Sequence, residues 1–288
     1  MLEKSLFKIR KMHPSDLAEA FRLSSVEGWN QTEKDWQFLH ENPGDLSAVA
    51  EKDGRVAGTA TAINYGNMVA WIGMVIVDKS LRGHGAGKML LENMITGLRH
   101  VESIKLDATP AGEPLYTKLG FLPEYGIHRM TRESGGIIPA YGKKSKPVPV
   151  KKDKFHEITD LDCKIFGADR QKLLEYLFQN SSELAFYTEN DEGISGYVFG
   201  RKGIRFSYIG PLCAGSDNEA FSLLAMVLGS TGSLPVAIDV PGEKTNMIKW
   251  LESAGFILQR HFMRMYLGQN PYPGQVDLQY LISGPEFG

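Results

Sequence analysis

Three glycines spaced by single residues, Gly83, Gly85 and Gly87, stand between Arg82 and Lys88 in the run Met74-Val-Ile-Val-Asp-Lys-Ser-Leu-Arg-Gly-His-Gly-Ala-Gly-Lys-Met-Leu-Leu91. An apolar stretch ends there in a glycine-rich turn, and apolar residues resume at helical spacing through Ala86, Met89, Leu90, Met94, Ile95 and Leu98. Glycine lets the backbone turn tightly, so the amides from His84 to Lys88 become unpaired donors at a helix N-terminus. Free N–H groups and the positive end of the helix dipole attract a phosphate or pyrophosphate. The segment reads as strand, anion-binding loop and helix.

What the loop lacks narrows its ligand. A P-loop carries a glycine five residues before the Gly-Lys pair and a Ser or Thr after it for magnesium, whereas Arg82 and Met89 hold those places. A dinucleotide loop of the form G-x-G-x-x-G ends on Lys88 if it starts at Gly83, and on Leu90 if it starts at Gly85. ATP, GTP and NAD are all disfavoured. The pattern that fits is [QR]-x-x-G-x-[GA], with Arg82, Gly85 and Gly87 in place. It resembles the acyl-CoA pyrophosphate loop of the GNAT superfamily of N-acetyltransferases; the competing reading is a glycine-rich turn with no ligand.

Downstream, Ser103-Ile-Lys-Leu-Asp-Ala-Thr-Pro-Ala-Gly-Glu-Pro-Leu-Tyr-Thr-Lys-Leu-Gly-Phe121 stands where that superfamily keeps its next strand and short helix. By this resemblance Tyr116 matches the tyrosine beside the CoA sulfur, and Thr109 replaces an asparagine that contacts the pantetheine arm. The strand ending at Val77 would offer backbone groups at Val75 and Val77 to pantetheine. The resemblance implies direct transfer of an acetyl group from acetyl-CoA, without a metal, to the amine of a small molecule. Tyr116 is the expected acid. A base is not identified: Ala70–Val77 holds no carboxylate, Asp78 suits a turn, and a water chain to a distant carboxylate such as Glu286 remains. Acceptors in this superfamily lie against the segment between the first two helices, which makes Trp29, Asn30 and Asp35 candidates. Equally, Trp29 and Trp36 could simply cover the core while Asp35 stabilises a helix start. The non-enzymatic alternative is an acyl-CoA sensor or scaffold, against which the Tyr116 hydroxyl argues.

The elements that must position these residues follow in order. Leu6–Arg10 is a short strand; His13-Pro14-Ser15-Asp16 opens a helix through Leu17, Ala20, Phe21 and Leu23. Thr32 and Asp35 form a near capping box for the next helix. Ser47–Ile63 is a hairpin around Asp53-Gly54. Then come the strand to Val77, the glycine loop and its helix, the strand at Ile104–Ala108, and the Tyr116 segment.

Gly135–Lys152, rich in Gly, Pro and Lys, has the composition of a linker, which divides the chain into domains at 1–134 and 153–288. In the second, Ile158–Cys163 leads to a helix around Arg170–Leu177, and a hairpin turns at Asn190–Gly193. Ser207–Leu212, a helix at Asn218–Leu228, a strand at Val236–Val240 and the Trp250–Phe256 segment repeat the cadence of the first half. The pyrophosphate loop is not repeated: Ala214-Gly-Ser-Asp-Asn-Glu219 puts acidic groups where an anion would sit, and Trp250 or a neighbour replaces Tyr116. The whole chain resembles a tandem subgroup of GNAT proteins with a degenerate second domain. The expected fold is α/β, two twisted mixed sheets flanked by helices.

Tyr280-Leu-Ile-Ser-Gly-Pro-Glu-Phe-Gly288 mixes apolar residues with a Pro and a carboxylate, and is expected to dock between the domains, bringing Glu286 and Arg264 to the acceptor. Loss of acceptor kinetics without loss of stability on deleting 281–288 would mark that role; stapling the domains together is the simpler one. With 288 residues, 42% of them hydrophobic, and a net charge of -2, the chain has material for two cores and no long-range attraction for nucleic acid or anionic membrane. No apolar run reaches the roughly eighteen residues of a membrane helix, and Met-Leu-Glu-Lys-Ser lacks a signal peptide's core. A cytoplasmic protein is expected, with Cys163 and Cys213 reduced and its oligomeric state open.

Overall fold

The structure, a computed structural model, describes residues 6–41, 46–133, 135–139, 142, 146–232 and 234–288. Of the expected linker, Lys143 and Lys144 lie outside the described residues, as does 134 at the expected domain boundary.

The first half runs β1 (Lys8–Lys11), α1 (Leu17–Val26), α2 (Glu33–Glu41), β2 (Leu46–Lys52), β3 (Arg55–Tyr65), β4 (Val69–Val77), α3 (Ala86–Gly97), β5 (Ser103–Ala108), α4 (Glu113–Lys118) and β6 (Leu122–Arg132). The same order returns as β7 (Val148–Pro149), α5 (Phe155–Phe166), α6 (Gln171–Asn180), β8 (Phe186–Asn190), β9 (Gly193–Lys202), β10 (Ser207–Ala214), α7 (Asp217–Leu228), β11 (Val236–Pro241), α8 (Thr245–Ser253) and β12 (Ile257–Gly268), with β13 (Gln279–Leu281) added. Local chemistry accounts for much of this. Asp53 and Gly54, both left-handed with φ of 51° and 74°, make the two-residue turn joining β2 to β3. Thr32 and Asp35 cap α2 reciprocally: Asp35 accepts the Thr32 N–H at 2.6 Å, and the Thr32 hydroxyl accepts the Asp35 N–H at 3.2 Å. Ile158–Cys163, which the sequence reading placed ahead of a helix, lies inside α5; Ile158, Leu161, Ile165 and Phe166 follow a helical period and turn one stripe inward.

Instead of two sheets there is one, ordered β1-β2-β3-β4-β5-β12-β6-β11-β10-β9-β8-β7, with β13 laid on β10. Each half lends its last long strand to the other: β12 sits between β5 and β6, and β6 between β12 and β11. The exchanged strands pair antiparallel from Ile257 opposite Thr131 to Tyr266 opposite Leu122, and His128 faces His261 near the centre. Only β4 with β5 and β10 with β11 are parallel. Helix α3 covers the first half by burying Ala86, Leu90, Leu91, Met94 and Leu98 against Ala48, Ala57, Ala60 and Ala62 of β2 and β3, whose short side chains let the helix come close. None of the described helices is long and apolar enough to cross a membrane.

Candidate active site

The site begins where two parallel strands part. β4 and β5 pair only through Val69–Trp71 against Ser103–Lys105. Beyond that, β4 stays with β3 while β5 is held on its other edge by β12, as far as Ala108 opposite Met263. Met74 fixes the divergence: its backbone is left-handed at φ 51°, its carbonyl accepts the Thr59 hydroxyl at 2.8 Å, and the register with β3 slips between Thr59 and Thr61. A bulge there bends the strand and stores strain that the surrounding sheet must hold. The opening is a cleft of about 110 Å³, lined on the strand side by Ile72, Met74, Val75 and Leu106 and reaching Thr109 and Tyr116.

At one end of β4 stands the glycine loop. Gly83 and Gly85 have φ of 81° and 89°, a conformation costly for other residues, and a Cβ on either would meet nothing within 4 Å. The space above the loop is open. The first helical bond of α3 runs from Met89 N–H to Gly85 C=O at 3.0 Å, so the amides of Ala86, Gly87 and Lys88 have no helical acceptor. Arg82, on the exposed face of the loop, donates from Nε to the Val77 carbonyl at 3.0 Å and from Nη2 to Glu27 at 2.5 Å. It anchors the loop and takes up one of the two lone pairs of the Val77 carbonyl. Val75 has no partner in the β3 register. His84 Nδ1 lies 3.0 Å from the Arg82 carbonyl, and Lys88 reaches Glu92 on the exposed face at 3.6 Å.

Across the cleft, Tyr116 projects from α4 with its ring edge-on to Phe121. Its hydroxyl makes no hydrogen bond among the described residues, and burial pushes its pKa up to about 12. It stays protonated throughout the physiological range. The Thr109 hydroxyl accepts the Gly112 N–H at 3.2 Å and keeps its own proton to donate.

The other end of the cleft is closed by residues 282–288, which come back onto β4. Tyr65 donates to the Phe287 carbonyl at 2.7 Å and Trp71 Nε1 to the Pro285 carbonyl at 3.1 Å. Gly73 makes the contact possible, because a Cβ there would lie 2.8 Å from the Glu286 Cα. Glu286 lines the cleft beside Trp29, Asn30 and Gln31. Its carboxylate accepts Gln31 Nε2 at 2.8 Å and is paired with Arg201 of β9, whose other nitrogen meets Asp35 at 2.6 Å. Burial opposes the charge on Arg201, yet the two carboxylates hold its pKa above the ordinary value.

The expected acceptor residues therefore divide. Trp29 and Glu286 line the cleft. Asn30 also borders it, but its amide is spent on the second half, accepting from the backbone of Arg205 and Phe206 at 3.0 and 2.9 Å and donating to the Phe206 carbonyl at 3.1 Å. Asp35 is buried behind the cleft and bound by Thr32, Tyr176 and Arg201. Arg264 is locked in a two-pronged pair with Asp107, at 2.9 and 3.0 Å, and stacks over Trp71. Asp107, Gln31, Arg129 and Arg260 also line the cleft, none of them marked by a sequence motif.

The matching place in the second half is filled by protein. β10 and β11 pair through Ile209 and Ile238 and then part. β13 lies on β10 there, with Leu281 opposite Leu212, and the Ile282 N–H donates to the Asp239 carbonyl at 3.1 Å. At the N-terminus of α7, Glu219 is the anion: it accepts the Gly215 N–H at 2.9 Å and the Thr188 hydroxyl at 2.8 Å, and is bonded by Ser195. Trp250 stacks face to face on Phe221 as a core residue.

A cleft between parting parallel strands, with a glycine-rich helix N-terminus following the first of them, and a second half of the same plan define the class: the chain belongs to the GNAT family of acetyltransferases, with two such domains in tandem. Residues 14–121 match the acetyltransferase (GNAT) family model, and residues 158–281 match a second acetyltransferase (GNAT) domain model. Among particular relatives, the uncharacterized N-acetyltransferase YitH of Bacillus subtilis is 27% identical over 249 residues, spanning 85% of this chain and 86% of its own. The crystal structure of a putative acetyltransferase from Pyrococcus horikoshii superposes with a TM-score of 0.80 at 23% identity, over 100% of this chain and 98% of that one. A tandem GNAT protein from the clavulanic acid biosynthesis pathway superposes at 0.64 with 12% identity, over 90% and 98%. The chain is an acetyl-CoA-dependent acyltransferase.

Proposed function

We propose that the first half binds acetyl-CoA between β4 and β5 and passes the acetyl group directly to the amine of a small molecule. The observation that carries this reading is that one cleft joins Tyr116, with its unbonded hydroxyl, to the Glu286 carboxylate, while α3, which follows β4, begins with amides that have no helical acceptor. The pyrophosphate would rest on the amides of Ala86, Gly87 and Lys88, and the pantetheine along Val75 and Thr109. Holding the thioester in place before the amine arrives is a proximity effect. The amine nitrogen forms a bond to the acetyl carbon, the carbon–sulfur bond breaks, and the surplus amine proton leaves through cleft water toward Glu286. Tyr116 meets the departing thiolate. A thiol near about 8.5 is a stronger acid than a phenol at about 12, so Tyr116 stabilises the thiolate by donating a hydrogen bond, and the proton arrives from solvent.

The second half takes no cofactor in this scheme; it supplies Arg201, Arg260 and residues 282–288 to the acceptor end, beside Arg129 of β6. The protein acts in the cytoplasm without nucleic acid or membrane. Incubating it with acetyl-CoA and a panel of amines while following free thiol tests the proposal. Amine-dependent thiol release with one acetyl-CoA bound per chain is expected, and binding without release would leave the sensor reading standing.

A further inference from the structure

The acceptor end of the cleft carries two charges that its own partners do not cancel. Asp107 is neutralised by Arg264 and Arg129 by Asp239, each through two hydrogen bonds. Glu286 and Asp35 share the single cation Arg201, which leaves one negative charge over. The Gln31 side chain adds an acceptor: its Nε2 is committed to Glu286, and its buried Oε1 has no hydrogen-bond partner among the described residues. A buried acceptor left unpaired is destabilising unless a ligand supplies an N–H. Arg260 is the opposite case. It lines the same cleft, sits opposite Arg129 in the β6–β12 register, and has no ion pair or hydrogen bond among the described residues. Desolvation and the Arg129 charge both lower its pKa, yet a guanidinium stays ionised, so two cations lie side by side on β12 and β6, and the one carboxylate, Asp239, is on β11 at the far side of Arg129.

We infer that the acceptor is a small amine that also bears a carboxylate, its nitrogen received by Gln31 Oε1 and Glu286 and its carboxylate by Arg260. The inference rests on the acetyl-transfer reading and adds the acceptor's class. A simple amine or a polyamine would leave Arg260, which is exposed, answered by water alone, and a polycation would be repelled by it. A zwitterion satisfies both ends. The proton balance adds one step to the transfer above: the ammonium first releases a proton to solvent to become the nucleophile, a second proton leaves nitrogen as the amide forms and is matched by the one the thiolate takes up, and the carboxylate takes no part in bond making.

Matched acceptors test this: a set of amino acids, their carboxamides, their decarboxylated amines and their aminophosphonate analogues, each assayed with acetyl-CoA by thiol release. The expected result is a preference for the carboxylate form over the amide and the bare amine of roughly tenfold or more in kcat/KM, the span of a hydrogen bond to a charged group. Arg260→Gln should abolish that preference through KM, and Arg260→Lys should restore part of it. Equal use of carboxylate and amide forms, preference for the phosphonate, a preference that survives Arg260→Gln, or no turnover of any amino acid by protein that binds acetyl-CoA would each overturn the inference. Calorimetry on the same sample separates this from failure of the reading beneath it. Absence of acetyl-CoA binding sinks the acetyl-transfer proposal itself.

Discussion

In the proposed reaction Tyr116 and Glu286 divide the chemistry of the cleft, and each can be probed without disturbing its packing. Tyr116→Phe keeps the ring against Phe121 and removes the donor; turnover should fall roughly a hundredfold while the acetyl-CoA Kd holds, as steady-state kinetics and calorimetry would show. Equal turnover would reduce Tyr116 to a packing residue. Glu286→Gln leaves Arg201 and Asp35 as a one-to-one pair, so no buried charge is stranded and the fold should persist. The expected loss is in acceptor turnover, with the acetyl-CoA Kd unchanged. At the loop, Gly87→Glu would copy what Glu219 does in the second half. Gly87 lies in α3 at an ordinary helical φ with its nearest side-chain neighbour 3.7 Å from a Cβ, and a carboxylate in a first helical turn is stabilising by about 0.3–1 kcal/mol. Thermal stability should hold while acetyl-CoA affinity drops at least tenfold; unchanged affinity would remove the loop from the binding site.

Among the elements, residues 282–288 are the most exacting in their fit. Phe287 is fully buried, and Arg170 donates to both Ser283 and the Gly288 carbonyl at 3.1 Å, so deleting 281–288 would cost stability as well as acceptor kinetics. The stability loss runs against the expectation that this segment serves the acceptor alone, and the kinetic loss is the separate test of that role. Gly73→Ala is a milder test. Its Cβ would press on the Glu286 backbone, and overpacking of this kind costs about 1–3 kcal/mol. We expect a lower Tm together with a raised acceptor KM; a normal KM would separate the segment from the acceptor end. The elements themselves were legible wherever local rules dominate: the Asp53-Gly54 turn, the capping box at Thr32, the glycine loop and the apolar stripe of α3. The exchange of β6 and β12 was not. A strand's alternation fixes which face is buried and says nothing of its neighbour, so Phe262–Met265 reads the same in either sheet. Gln31, Arg201 and Arg260 escaped for a related reason: single polar residues on separate elements acquire meaning only when the register brings them to one cleft.

For the molecule as a whole, pH sets one limit. Burial pushes the Cys213 thiol up to about 12 from 9.0, and the Tyr116 and Tyr125 phenols up to about 12 from 10.0. The unfolded chain loses these protons first, so their contribution to stability is complete below pH 9 and declines as the pH climbs toward 12. Melting temperatures from pH 7 to 11 should be level and then fall, with Cys213→Ala flattening the decline between pH 9 and 10. A midpoint that holds steady to pH 11 would contradict the burial of these groups. The shared strands set another limit, one of time. During synthesis β5 and β6 emerge early, but β12, the strand that must lie between them, begins only at Ile257, 125 residues after Arg132 closes β6. At about 5–20 residues per second the ribosome needs roughly 6–25 s to cover that distance. For that interval the nascent first half holds an unpaired β5 edge, open to β12 of another copy on the same messenger or to a chaperone, and the acetyl-CoA cleft cannot take its final shape until nearly the whole chain has been made.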